Sequence, residues 1–402
     1  MGFQQGLSGL NAAAKSLDVI GNNVANASTV GFKGAQAQFA DVYASSIGGG
    51  MQSGIGARVA TIAQQFTQGN ITTTNNSLDM AVSGNGFFRL SNNGSIVYSR
   101  NGQFQMDKDG YVVTSQGYRL TGFLPNALGQ IVATAPADLQ ISTADLLPNA
   151  TVNIAAGLNL DSRSATIPAL PVFSPNNAAT FTDSTSMTVY DSLGSSHVAS
   201  LYFAKTGANA WNSYLTIDGA QVGGVLTGMT FNTNGTIATP AAAVTSAAFT
   251  PAGASAQTLT FDFASTSQFG GIFGVNSLTQ DGYTSGRLTS FSTGADGTIS
   301  GRYSNGQAKT LGQVVLSNFS NPQGLQPLGG NDWAETFTSG TPLTGAPGSG
   351  SLGVLQTSAV EDSNVDLTAE LVNMITAQRV YQANAQSVKT QDQVLQTIVN
   401  LR

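Results

Sequence analysis

The chain offers few residues able to do chemistry. It has no cysteine and a single histidine, His197, which excludes disulfides, thiolate nucleophiles, cysteine metal sites and zinc sites built on two or more imidazoles. His197 follows the turn sequence Asp191-Ser-Leu-Gly194, and a Ser-His-Asp triad needs all three types in contact. Ser and Asp are so common here that their presence carries no information, and the residue reads as a strand histidine. Gly348-Ser-Gly350-Ser-Leu-Gly353 spells the dinucleotide-binding pattern, but that pattern works only between a strand and a helix N-terminus. TSGTPLTGAP before it and VLQTSAVEDSN after it read as loop. Asp107-Lys-Asp109-Gly110 opens like a calcium loop yet lacks the Glu at the twelfth position and lies between strand-like runs, so it reads as a hairpin turn. No catalytic, cofactor or metal site emerges.

Composition narrows the remaining classes. Charged residues are only 9% of 402, with 15 Lys and Arg against 21 Asp and Glu, where an ordinary soluble protein carries roughly 25%. So few basic residues, spread thinly, give no patch to neutralise a row of phosphates, and nucleic acid is not an expected partner. No run of about 20 apolar residues could span a bilayer, and MGFQQGLSGLNAAAKSLD lacks the basic-then-apolar order of a cleavable signal. The surface is polar and nearly uncharged.

The two ends are the most patterned parts of the chain. Phe3, Leu7, Leu10, Ala14, Leu17 and Val24 recur at alternating spacings of four and three, with Gly21 in one slot; this is a heptad stripe. The polar run from Asn22 to Gly31 should stop the helix near Asn26. At the other end Leu367, Leu371, Met374, Tyr381, Ala385, Val388, Leu395 and Val399 share one register, interrupted by Gln378 and Asp392. Ser363-Asn-Val-Asp366 has the spacing that caps a helix start. Both stripes are narrow and admit small or polar residues, which favours helix against helix over a cover for a β-domain. Ordering two such helices costs about 1–2 kcal/mol per residue in backbone entropy, so the pair is expected to need surface supplied by neighbouring copies.

Between the ends the period changes to two. Gly84 to Phe123 holds short apolar runs separated by Asn93-Gly94, Asn101-Gly102, Asp109-Gly110 and Gln116-Gly117, which predicts antiparallel hairpins. The pattern returns at Asp281-Gly282, Asp296-Gly297 and Asn305-Gly306. Residues 148–282 are poorer in charge, with strand candidates at Met187–Tyr190, Val198–Phe203, Tyr214–Ile217 and Leu259–Phe263. The expected fold is multidomain and mainly β with α-helical termini. Its parts are paired end helices (1–32 and 363–402), connecting segments (33–75 and 359–362), a discontinuous antiparallel β-domain (76–147 and 283–358) and a second β-domain inserted at 148–282.

Several long motifs carry a family resemblance. Leu10-Asn-Ala-Ala13, Leu17-Asp-Val-Ile-Gly-Asn-Asn-Val-Ala-Asn26 and Thr29-Val-Gly-Phe-Lys33 resemble the N-terminal signature of bacterial flagellar rod and hook axial proteins. The run from Ser363 to Asn384 is similar to its C-terminal partner, and Leu78–Phe88 with Tyr98–Phe104 resembles its β-domain motif. An insertion as long as 148–282 fits the hook members better than the distal rod, which lacks a large inserted domain. The resemblance implies a structural, non-enzymatic subunit without cofactors, forming a helical polymer of itself: a curved tube that acts as a universal joint and an export channel. It further implies flagellar rod, hook cap and hook–filament junction proteins as partners, and export through the flagellar type III apparatus without signal cleavage to the extracellular hook. The self-assembly seam would be Leu7, Leu10, Ala14, Leu17, Val24, Leu367, Leu371, Met374, Tyr381, Ala385, Val388, Leu395 and Val399. Readings left open are a rod or hook-associated axial protein and, from another class, a secreted β-rich glycan-binding module or enzyme.

Overall fold

The computed structural model describes residues 2–42, 54, 56–126, 129–168 and 172–400. Two helices bracket a β-rich middle: α1 (Gly2–Ala25) and α2 (Leu367–Asn400). α1 ends where expected, because the Asn26 side chain turns back to donate to the Asn22 carbonyl at 2.9 Å, competing with helix propagation. α2 starts at the expected place through Asp366, whose Oδ1 accepts the Thr368 and Ala369 amides at 2.9 and 3.1 Å. Ser363 lies outside the cap and accepts only the Val365 amide.

Strand pairing brings the ends together. β1 (Ala35–Val42) and β2 (Gly56–Gln64) form an antiparallel ribbon beside α1. β3 (Ile71–Thr73) pairs antiparallel with Ala359–Glu361, and β4 (Met80–Ser83) with Val354–Thr357. The outgoing chain and the returning chain therefore run side by side shortly before α2.

By Cα proximity the chain divides into two compact units: 1–143, 290–301 and 308–402, and 144–289 with 302–307. In the first, β5 (Phe87–Asn92) and β6 (Ser95–Ser99) join through Asn93 and Gly94, both at positive φ, the hairpin that Asn-Gly predicts. Phe87, Tyr98, Phe319, Leu325 and Trp333 form a buried cluster with edge-to-face rings, Tyr98 and Phe319 at 4.8 Å. Asn101-Gly102 is not a hairpin turn. A β-carbon on Gly102 would fall 1.6 Å from the Met80 carbonyl oxygen, so this glycine serves close backbone approach.

The second unit is a two-sheet sandwich. One antiparallel sheet orders Asp183–Tyr190, Ser196–Gly207, Ala210–Ile217, Ala220–Phe231 and Ile237–Thr239. In the other, Asn153–Asp161 pairs in parallel with Thr260–Asp262 and Ser267–Phe269 and antiparallel with Gly274–Gln280. Leu158, Leu160, Phe203, Trp211, Met229 and Phe261 belong to the core between them. Asp281-Gly282 is again a close approach, to Thr151, and not a hairpin turn.

Candidate self-assembly surface

α1 and α2 pair along a stripe of small residues. Gly6, Gly9, Ala13, Ser16, Ile20 and Asn23 follow one another at three- and four-residue spacing on α1. A β-carbon on Gly6 would stand 2.7 Å from Val388 Cγ2, and one on Gly9 2.7 Å from Asn384 Oδ1, so glycine sets the helix separation there. At the other end the Asn23 amide donates to Glu370 Oε1 at 3.2 Å and to the Ala35 carbonyl at 2.8 Å. Between these contacts lies an open cavity of about 960 Å³, lined by Ala13, Ser16, Ile20, Phe39 and Ala377 among others. Glu370 Oε2 is buried there without a hydrogen-bond partner.

The large apolar residues picked out by periodicity divide between this contact and the exposed surface. On α2 the half-buried positions are Glu370, Met374, Ala377, Asn384, Ala385, Val388 and Gln391, so Met374, Ala385 and Val388 lie against α1 or beside the contact. Leu367, Leu371, Tyr381 and Leu395 are 41–54% exposed. On α1, Leu10, Ala14, Leu17 and Val24 are half-buried, while Phe3 and Leu7 are exposed. The side chain of Val399 lies outside the described residues. Buried Ala13, Val19 and Ile20, which the periodic reading passed over, form the inner face of α1. α1 also packs on the β1–β2 ribbon: Gln5 donates to the Gly54 carbonyl at 2.6 Å, and Ser8 Oγ accepts the Ala57 amide at 3.4 Å. One helix thus serves both roles that the sequence set against each other.

The roots of both helices meet at a buried charge cluster. Glu361, fully buried in the strand before α2, accepts Lys33 Nζ at 2.6 Å, Arg100 at 3.1 Å and the Gly69 amide at 2.8 Å. Lys33 also donates to the Thr67 carbonyl at 2.8 Å, and Arg100 to the Gly84 carbonyl at 2.8 Å. Burial pulls the Lys33 ammonium and the Arg100 guanidinium below their ordinary pKa values, opposed by the Glu361 charge. The cluster joins the segment leaving α1, the β-rich middle and the segment entering α2. Such a node needs residues far apart in sequence, and no spacing rule reveals it.

Among the described residues no group of three or more His, Cys, Asp or Glu could hold a metal ion, and no helix is long and apolar enough to cross a membrane. The Gly348–Gly353 segment is a turn with no helix after it, and Asp107 Oδ1 caps its own turn by accepting the Asp109 and Tyr111 amides.

Comparison with known proteins gives the surface its context. Four family profiles match in order along the chain: flagella basal body rod protein at 3–33, flagellar hook protein FlgE/F/G D1 domain at 81–189, flagellar basal body protein FlaE D2 domain at 159–283, and flagellar basal body rod FlgEFG protein C-terminal at 356–401. The flagellar hook protein FlgE of Escherichia coli strain K12 is 44% identical over 408 residues, covering all of both chains. Its counterpart in Salmonella typhimurium is 43% identical over 411 residues, again covering all of both. The crystal structure of Helicobacter pylori flagellar hook protein FlgE2 shares the fold at a TM-score of 0.53 and 15% identity, over 72% of this chain and 100% of that one. Paired terminal helices on a β-rich middle, with these relatives matching end to end, place the chain in the family of flagellar hook proteins, the structural subunits of the bacterial flagellar hook.

Proposed function

We propose that the chain acts solely as a building block, polymerising through the stripes left exposed on α1 and α2 into a curved tube that works as a universal joint and encloses an export channel. The observation that carries this reading is the apolar surface left uncovered on α2, where Leu367, Leu371, Val372, Ile375, Tyr381 and Leu395 stand between 41% and 59% exposed. Burying the remainder of each against a neighbour contributes on the order of 1 kcal/mol apiece, repeated at every subunit. Exposed apolar surface this extensive marks a protein contact. The thirteen residues from Leu7 to Val399 named as the seam are proposed to act at contacts between copies, Val388 serving in addition the contact within one chain, which runs through Gly6 and Gly9 against Val388 and Asn384.

In this reading the paired helices form the inner tube, 76–147 with 283–358 the inner β-domain, and 148–282 an outer domain whose contacts with other copies slide as the tube turns while bent. A chain with charged residues at 9% has few surface ion pairs to break during such sliding. The chain performs no catalysis. Its further partners are the rod, hook cap and hook–filament junction proteins, and it leaves the cell through the flagellar type III export apparatus without loss of a signal peptide. Sedimentation of the purified subunit across a concentration series tests the core of this proposal. Growth into large polymers supports it, and a strictly monomeric chain under all conditions refutes it.

A further inference from the structure

His197, which the assembly surface does not use, sits at the centre of a three-residue clip. It lies near the start of strand Ser196–Gly207 in the second unit. Its Nδ1 is 2.7 Å from Asp218 Oδ2, and its Nε2 is 3.3 Å from Asp191 Oδ2. Asp191 belongs to the turn after strand Asp183–Tyr190, and Asp218 to the turn after Ala210–Ile217, so the ring spans the turns flanking its own strand. Each carboxylate uses its other oxygen on backbone: Asp191 Oδ1 accepts the Leu193 and Ser195 amides at 2.8 Å, and Asp218 Oδ1 accepts the Val198 amide at 2.8 Å. Val189 stands opposite the histidine across the strand pair, and the charged groups acting on the ring are these two aspartates.

An imidazole can donate from both nitrogens only when protonated. We propose that His197 is a proton-controlled clip: as imidazolium it ties both turns to its strand, and on losing one proton to solvent it keeps its bond to Asp191 and frees the Asp218 turn. The choice of turn follows from burial. The Asp191 side chain is 2% exposed, so its Oδ2 would be left without a partner, whereas Asp218 is 53% exposed and can be rehydrated as it swings away. The remaining N–H therefore stays on Nε2, and the bare Nδ1 lone pair then faces a carboxylate oxygen, which repels it.

The Asp218 hydrogen bond, opposed by burial and joined by the Asp191 bond, holds the imidazole pKa above its ordinary value. A folded pKa above the unfolded one means that the clip's stabilisation is fully present below about pH 6.5 and is lost as pH rises through the folded value. Leu193 and Val198, both exposed, lie on the clipped segments, so the proton also sets how this apolar surface is presented.

The test uses the full-length chain, whose single histidine gives an unambiguous Hε1 NMR signal. That signal is titrated, and hydrogen exchange, corrected for intrinsic rate, is followed on peptides covering 190–200 and 216–220. The expected midpoint lies above about 6.5. Across it, protection of the Val198 and Asp218 amides should fall roughly ten- to a hundredfold, the equivalent of one charge-assisted hydrogen bond, while Leu193 and Ser195 keep theirs. His197→Gln and Asp218→Asn should show the lower protection at every pH, with Trp211 emission confirming that the unit is folded. Protection of Val198 and Asp218 that stays constant through the histidine midpoint overturns the clip. So does the same pH dependence in His197→Gln.

Discussion

Glu361→Gln probes the node on which both helix roots depend. The carboxylate is fully buried between Lys33 at 2.6 Å and Arg100 at 3.1 Å, and it is the sole carboxylate in hydrogen-bond contact with either cation among the described residues. The amide matches its shape but removes the negative charge, leaving two buried cations facing a neutral group that also presents its own N–H. Removing one member of a buried ion pair costs about 3–5 kcal/mol, because the surviving charge is stranded. With a urea dependence of up to about 3 kcal/mol per molar, this shifts the unfolding midpoint down by about 1–2 M. The two units report separately: Trp333 is buried in the first and Trp211 in the second, so fluorine-labelled tryptophan gives each its own NMR signal. The Trp333 transition should move and the Trp211 transition should not. A Trp333 shift below about 0.3 M, a small fraction of the expected effect, would refute the assignment of Glu361 as the stabilising node.

Leu371→Asp, at a position 44% exposed in the single chain, should change subunit stability by no more than about 0.5 kcal/mol yet abolish polymer formation, as read by sedimentation; normal polymers would remove Leu371 from the seam. Val388→Asp places a charge beside Gly6 at a cost of several kcal/mol to the helix contact, and it too should block assembly while both tryptophan signals remain native. Burial pushes the Asp332 carboxyl up to about 6, partly opposed by a hydrogen bond from Ser99. Since the folded value lies above the unfolded value of about 3.9, the first unit should lose about 2–3 kcal/mol as pH rises from about 4 to above 6. Urea midpoints should show that slope in the natural chain and a flatter one in Asp332→Asn.

Much of the fold was legible because it rests on local rules. Asn93-Gly94 announced its hairpin, Asn26 the end of α1 and Asp366 the start of α2. The heptad period of the end helices was legible too, and on α2 it named Val388, which meets Gly6, but on α1 it missed the glycines at the contact. Periodicity was read from large apolar residues such as Leu7, Leu371 and Tyr381, whereas on α1 the contact within the chain uses Gly6 and Gly9, which carry little hydrophobic signal. Asn101-Gly102 and Asp281-Gly282 looked like turns because a glycine kept for close approach is indistinguishable in sequence from one kept for positive φ. The partners of Glu361 lie 328 and 261 residues away, and His197 showed neither of its aspartates as a partner. Contacts of this kind exist only once the chain has folded.

Copies of this chain are expected to assemble into a tube whose curvature depends on the inserted region. Electron microscopy of polymers from the full-length chain, beside polymers from a chain lacking 148–282 with the flanking strands rejoined, tests it most directly. The full-length chain should give curved tubes, and the shortened chain straight or loosely assembled ones. Straight, rigid polymers from the full-length chain, indistinguishable from those of the deletion, would contradict the account, and so would the absence of any polymer.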